Sequence, residues 1–208
     1  MTKEIALTFD DGPWEKTTPQ VLDELIRRQI PATFMIWGEH ALQYPEILKR
    51  AADSKLFAFG NHTFSHPSLL ELSASQIKNE IDKTDEIVQE ITGERPAFVR
   101  PPYGDGNQET LKIVNRAMIC WSLDTESWNH HKPELCIEKA RQAKDGDIIL
   151  MHDFQEADAG ALPAIIDILE AKGFVFKTIP DLLKNQLSSD DAYFYYSRDA
   201  RDKSGFKK

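Results

Sequence analysis

Two adjacent carboxylates, Asp10 and Asp11, follow the apolar run Ile5-Ala6-Leu7-Thr8-Phe9 and precede Gly12-Pro13. An apolar run closed by Gly-Pro reads as a strand entering a loop, so both acids lie at a strand's C-terminal end, where α/β folds carry their chemistry. Adjacent acids in one cleft can divide the labour, one holding a metal while the other takes a proton. Capping a turn is the plain alternative. A second polar cluster, Gly60-Asn61-His62-Thr63-Phe64-Ser65-His66, follows the apolar residues 56–59. His62 and His66 have the i, i+4 spacing of one face of a helical turn and can aim neutral imidazoles at one ion. Two histidines with a carboxylate make three protein ligands and an open position, the set of a catalytic metal. Imidazole with carboxylate suits Zn²⁺, and Co²⁺ or another first-row divalent ion also fits.

Arg100-Pro101-Pro102-Tyr103-Gly104 follows the short apolar run 97–99. The prolines stiffen the loop, so a fixed guanidinium could orient a carboxylate and the Tyr103 N–H could serve an oxyanion. A surface salt bridge beside a Pro-rich turn is the alternative. Asp124-Thr125-Glu126-Ser127-Trp128 comes after the run 118–121, and Trp128 is either a stacking face for a sugar ring or a core residue. Leu150-Met151-His152 ends another apolar run, where His152 could supply a proton near neutral pH or be a satisfied structural histidine.

The elements that must position these groups follow from periodicity and punctuation. Strands are predicted at 5–9, 33–37, 56–59, 97–99, 118–121, 147–150 and 174–176, and helices at 45–52, 109–116, 135–143 and 163–172. A helix also starts at Thr18-Pro19, the longest opens on the capping box Ser73–Gln76 and ends at Gly93, and a last one starts near Pro180. Some seven strands alternating with helices give an α/β chain with a parallel sheet, closed or nearly closed into a (β/α) barrel. No Gly-x-Gly-x-x-Gly follows the first strand to favour an open doubly wound sheet.

At 208 residues the chain supports one domain with a sizeable core. A formal charge of −9 speaks against nucleic acid bound through a broad basic face. Cys120 and Cys136 make no disulfide framework or metal spacing, and no apolar run spans a membrane. The N-terminus enters the first strand with no apolar leader. The expectation is therefore cytoplasmic if Met1 is the native start, and secreted or wall-associated with a signal removed otherwise.

Thr8–Pro13, His62-x-x-x-His66, Arg100-Pro-Pro-Tyr103, Asp124-x-x-x-Trp128 and Leu150-x-His152 together resemble the five ordered motifs of the polysaccharide deacetylases, the NodB-homology domain of carbohydrate esterase family 4. The resemblance implies a distorted (β/α)7–8 barrel over residues 1–187; beyond the last α/β unit, 188–208 reads as a tail, partly packed or disordered, with Tyr193–Tyr196 packing onto the barrel exterior or an end. It implies Asp10 as general base, Asp11, His62 and His66 as metal ligands, Arg100 holding Asp10, and the Tyr103 amide on the oxyanion. Pro101, Trp128 and Leu150 would then line the groove, and His152 would be the general acid. Many family members carry an acid immediately before the tryptophan; here Ser127 stands there, and Asp124 and Glu126 are the nearby groups that could tune His152. The implied reaction is release of acetate from N-acetylated glycans such as peptidoglycan or chitooligosaccharide. Acetylxylan esterase, cleavage of a non-sugar amide, and a catalytically dead carbohydrate-binding barrel are the alternatives. No protein partner is indicated.

Overall fold

A computed structural model of the chain describes residues 2–188 and 192–205. Its first half runs β1 (Lys3–Gly12), α1 (Thr18–Arg28), β2 (Ala32–Ile36), α2 (Gly38–Gln43), α3 (Pro45–Asp53), β3 (Phe57–Asn61), α4 (Ala74–Thr92), β4 (Phe98–Val99) and α5 (Gln108–Val114). The second half runs β5 (Ala117–Ile119), β6 (Leu123–Asp124), α6 (Ser127–His130), α7 (Pro133–Ala140), β7 (Ile148–His152), α8 (Glu156–Ala171), β8 (Phe174–Phe176), α9 (Ile179–Leu183), β9 (Phe194–Tyr195) and β10 (Arg201–Asp202). Ser73 and Gln76 make the expected capping box on α4, and Gly93 closes that helix in the left-handed region.

Strand order is β10-β9-β5-β4-β3-β2-β1-β7-β6, with β8 also on β1. All pairings from β5 through β4, β3, β2, β1 and β7 to β6 are parallel. β5 and β6 are consecutive in the chain, and three residues carry it from β4's side to β7's, so the curled sheet returns on itself as a distorted α/β barrel. Period-2 alternation along β1 then sorts the side chains. Ile5, Leu7 and Phe9 join the cluster under the outer helices, while Ala6 joins an inner cluster with Met35, Ile148 and the α9 residues Ile179, Leu182 and Leu183. Thr8 and Asp10 share Ala6's inward parity, and Leu150 and His152 share that of Ile148 on the neighbouring strand.

Three expectations change. Pro163 does not start α8 but lies inside it, because the helix already begins at Glu156; the sequence signal that places Pro at a first turn misled here. His62 and His66 are not on a helical turn: the segment is an irregular loop with Thr63 at φ 68 and His66 at φ 60. Tyr193 to Tyr196 is more than exterior packing. Phe194 and Tyr195 are buried and β9 pairs in parallel with β5, so the described part of the expected tail is built into the sheet. Residues 189–191 and 206–208 of that tail lie outside the described residues.

Candidate active site

Asp10 and Asp11 are both still within β1, and a bulge separates them. Asp10 pairs with Met35 and Gly12 with Ile36, leaving Asp11 as the extra residue at φ 71. A bulge re-aims a side chain, so neighbouring carboxylates that would point to opposite faces reach one cavity through different doors. Asp10 Oδ1 accepts from Arg100 Nη1 at 2.6 Å. Asp11 Oδ1 lies 3.2 Å from His62 Nε2 and 3.1 Å from His66 Nε2.

Arg100 is fully buried, and every arm of its guanidinium is held. Besides Asp10, Nη1 donates to Thr8 Oγ1 at 2.8 Å, Nε to the Ile119 carbonyl at 2.8 Å and Nη2 to the Cys120 carbonyl at 3.0 Å. A rigid fork with this many partners fixes Asp10 in position and orientation. The Arg100 carbonyl accepts from His62 Nδ1 at 2.7 Å. Since a carbonyl cannot donate, Nδ1 carries a hydrogen, so in the neutral ring Nε2 is the nitrogen free to bind a cation beside Asp11.

The histidine loop is clamped from α4. Asn61 Nδ2 donates to the Ile81 carbonyl at 2.8 Å and to Asp85 at 2.7 Å, and its Oδ1 accepts from Thr63 N at 2.8 Å. Glu80 accepts from the amides of Phe64 and Ser65 at 2.9 and 2.8 Å. Four non-glycine residues with positive φ therefore cluster here, Asp11, Thr63, His66 and Tyr103, and such backbone persists where surrounding contacts over-determine it.

The donor set of Asp11, His62 and His66 fits a divalent ion. Their ligand atoms all lie within 4.8 Å of one another. Asp11 Oδ1 is buried and has no hydrogen-bond donor among the described residues, although two imidazole nitrogens adjoin it. Burial opposes ionisation of Asp11, but its interactions with His62 and His66 outweigh that and hold it well below the usual carboxylate range. Burial likewise opposes a charge on His62, and Asp10 and Asp11 together overturn it and raise its pKa. The cluster thus favours positive charge at its centre.

Sequence reasoning missed an aromatic wall behind Asp11. Trp14 Nε1 donates to the Asp11 carbonyl at 2.8 Å, and His40 Nδ1 sits 3.1 Å from the same oxygen. Trp37 stacks on His40 with centroids 4.2 Å apart and lies 4.9 Å from His66. Burial lowers the His40 pKa. Trp14, close behind the first predicted strand, and Trp37, at the end of the second, are the available signal. Asp153 was missed too. It is buried beside Asp10 and Asp11, burial first and those charges second push its carboxyl up to about 8, and it accepts from Thr18 Oγ1 at 2.7 Å. A Cβ on Gly12 would stand 2.1 Å from Asp153 Oδ2. Gly12→Ala should therefore destabilise the fold by about 1–3 kcal/mol through overpacking, read as a lower denaturant midpoint at unchanged slope.

The remaining predicted residues lie on β7, on the loop that follows β4, and on β6 and α6. His152 is the register partner of Asp10 on β7. Leu150 is buried, as is Pro101. Tyr103 is 55% and Trp128 54% exposed, so Trp128 is a rim residue and not a core one. In the Arg100 loop the hydrogen bonds run from Gly104 N to the Pro101 carbonyl at 3.0 Å and from Asp105 N to the Pro102 carbonyl at 2.9 Å, with Tyr103 between them at φ 61. Asp124 does not turn to His152. Its Oδ1 accepts from Glu126 N at 2.7 Å and its Oδ2 from Trp128 Nε1 at 3.3 Å. The carboxylate near His152 is Asp158, 4.0 Å from Nδ1.

A family model described as polysaccharide deacetylase matches residues 1–119. The peptidoglycan-N-acetylglucosamine deacetylase PgdA of Listeria monocytogenes serotype 1/2a (strain 10403S) is 37% identical over 193 residues, which cover 92% of this chain and 41% of that protein. The chain thus spans about two fifths of the length of the curated relatives it matches first. Among solved structures, a T48 deacetylase with substrate superposes with a TM-score of 0.87 at 37% identity, covering 92% of this chain and 96% of that one. A family 4 acetyl xylan esterase from Clostridium thermocellum in complex with a cobalt ion gives a TM-score of 0.87 at 30% identity, covering 95% of this chain and 100% of that one.

Proposed function

The chain belongs to the polysaccharide deacetylase family, and from that premise we propose that it is a metal-dependent hydrolase removing acetyl groups from N-acetylated glycans, with peptidoglycan as the polymer. The observation that carries this is the division of two adjacent carboxylates, Asp10 on Arg100 and Asp11 between His62 and His66. Hydrolysis of an amide by water needs both a base and an electrophile in one place, and the bulge at Asp11 supplies both from consecutive residues.

A divalent ion held by Asp11, His62 and His66, Zn²⁺ by the chemistry of its ligands, would supply Lewis acidity toward water and the acetyl carbonyl. Asp10, held by Arg100, accepts the proton of the attacking water as its oxygen bonds to the carbonyl carbon. The Tyr103 N–H donates to the oxyanion. His152 gives a proton to the departing nitrogen as the C–N bond breaks, so acetic acid, which ionises to acetate, and a free amine leave, and Asp10 loses its proton to solvent as His152 regains one. Trp128 offers an exposed aromatic face at the rim for a sugar ring, and Leu150 an apolar surface for the acetyl methyl. The named activity of the Listeria relative supports peptidoglycan as the substrate, and with that substrate the reaction would run at the cell wall. No helix among the described residues is long and apolar enough to cross a membrane.

O-acetyl xylan is the second reading, favoured by the likeness to the Clostridium esterase. Acetate release from peptidoglycan, chitooligosaccharide and acetylxylan, measured side by side at defined metal content, separates the two. Turnover of N-acetyl substrates is expected to exceed that of acetylxylan; the reverse order overturns the N-deacetylase assignment. Chelation should abolish activity on all three, and Zn²⁺ or Co²⁺ should restore it. Because Asp10 and Asp11 hold a proton on His62 to higher pH than a free imidazole would, metal affinity should fall as pH drops through the neutral range. Titration calorimetry in buffers of different ionisation enthalpy would show protons released on binding, and an affinity flat with pH contradicts that ligand set.

A further inference from the structure

His152 and Asp158 meet where three elements converge. His152 ends β7, Asp158 lies in the first turn of α8, and Ser127 opens α6. Asp158 Oδ2 accepts from the His152 backbone N–H at 2.8 Å and from Ser127 Oγ at 2.5 Å, and lies 4.0 Å from His152 Nδ1. Asp158 and Ser127 are completely buried. His152 Nδ1 and Asp158 Oδ1 are both buried polar atoms with no hydrogen-bond partner among the described residues. A buried, unpartnered imidazole nitrogen 4.0 Å from one oxygen of a carboxylate whose other oxygen is also unpartnered is rare in a folded interior, where nearly every such atom is satisfied.

We propose that Asp158 is the positioning carboxylate of His152, the group that holds the plane and tautomer of the imidazole ring while His152 protonates the departing nitrogen. This rests on the assignment of His152 as the acid given above. An imidazole that delivers a proton from one nitrogen keeps its other N–H, and a carboxylate facing that side fixes tautomer and ring plane and stabilises the cation. The other acids nearby are committed elsewhere. Asp153, the next residue, accepts from Thr18 Oγ1 at 2.7 Å, Asp124 receives Glu126 N and Trp128 Nε1, Glu126 pairs with Lys139 at 2.7 Å, Asp10 is on Arg100, and Asp11 is between the two metal-site histidines. Burial pushes the Asp158 carboxyl up, while the Ser127 hydroxyl, the His152 amide and the His152 charge oppose it. Ser127 thereby acquires a reason. The position before the tryptophan holds a donor to a carboxylate that comes from α8, and a second acid there would meet Asp158 head on.

The readout that isolates this role is leaving-group dependence. A glycan amine must be protonated as it leaves, whereas the nitrophenolate of 4-nitrophenyl acetate need not be. In the metal-loaded protein, Asp158→Asn should lower kcat on an N-acetylated chitooligosaccharide by about 10–100-fold, the usual effect of removing an outer-shell partner, with KM little changed. Loss on 4-nitrophenyl acetate should stay within about threefold, as expected for a step without acid assistance. Equal losses on both substrates would mark Asp158 as merely structural, and no loss on the amide would dismiss it. His152→Ala run in parallel distinguishes the levels. If it shows the amide-selective loss and Asp158→Asn does not, the inference alone falls; if neither shows it, the acid assignment falls and Asp158 with it. Should Asp158→Asn not fold, the exchange Ser127→Asp/Asp158→Ser takes its place. Amide turnover recovered to within about tenfold of the parent supports a carboxylate requirement, and a larger amide-selective loss overturns it.

Discussion

Asp10→Asn should abolish most acetate release, lowering kcat by about 10²–10⁴-fold, the range for losing a general base, and leave the metal in place. The side chain stays isosteric, and the amide oxygen can still accept from Arg100 Nη1, so the fold around Thr8, Ile119 and Cys120 is preserved. What disappears is the lone pair that takes the water's proton. The proposed ligands Asp11, His62 and His66 are untouched. Asp10 Oδ2 is 3.7 Å from His62 Nε2, farther than the 3.2 Å of Asp11 Oδ1, so the change falls on the charge near the site and not on its ligand count. Metal stoichiometry by elemental analysis should match the parent while acetate release collapses. Near-normal turnover would remove Asp10 as the base, and loss of metal would reassign it as a ligand.

Arg100→Met should be the most damaging single change to stability, about 3–5 kcal/mol, the cost of breaking a buried ion pair by deleting one partner. Methionine fills comparable volume and folds into apolar surroundings, which isolates the electrostatic loss. Asp10 would be left ionised in a site that is 4% exposed, and the carbonyls of Ile119 and Cys120 would each lose a donor. Arg100→Lys should recover little, since one ammonium cannot reach Asp10, Thr8 and two carbonyls that lie along a planar fork. Chemical denaturation with metal-loaded protein measures both. A loss under about 1 kcal/mol would mean that the pair is solvated and not the buried clamp described here.

The order of polar clusters after apolar runs was enough to foresee the barrel and to gather Asp10, Asp11, His62, His66, Arg100 and His152 at one end of it. That legibility comes from strand punctuation, which is local. What stayed hidden depends on backbone detail or on distant pairing. The bulge at Asp11 leaves no mark in composition, because Asp tolerates positive φ without a glycine to announce it. The helical turn imagined for His62 and His66 failed because i, i+4 spacing says where side chains would point on a helix, not whether a helix forms. Asp158 stays hidden because Pro163 reads as the start of α8, which leaves residues 156–162 in a loop with no element to aim an acid at His152. Asp124, three positions before Ser127, belongs to the legible motif but is engaged by its own loop.

The contact of β9 with β5 has a temporal consequence. Cys120 N donates to the Tyr195 carbonyl and Met118 N to the Tyr193 carbonyl, both at 2.8 Å. The same stretch offers the Ile119 and Cys120 carbonyls to Arg100. On a ribosome, every side chain assigned to the reaction emerges before residue 193, yet the strand that completes β5 comes afterwards. A nascent chain therefore carries all of its chemistry before it has the support that holds its central cation. Maturation of the site is then tied to a contact that spans more than seventy residues, and closing so long a loop is the slow kind of folding step.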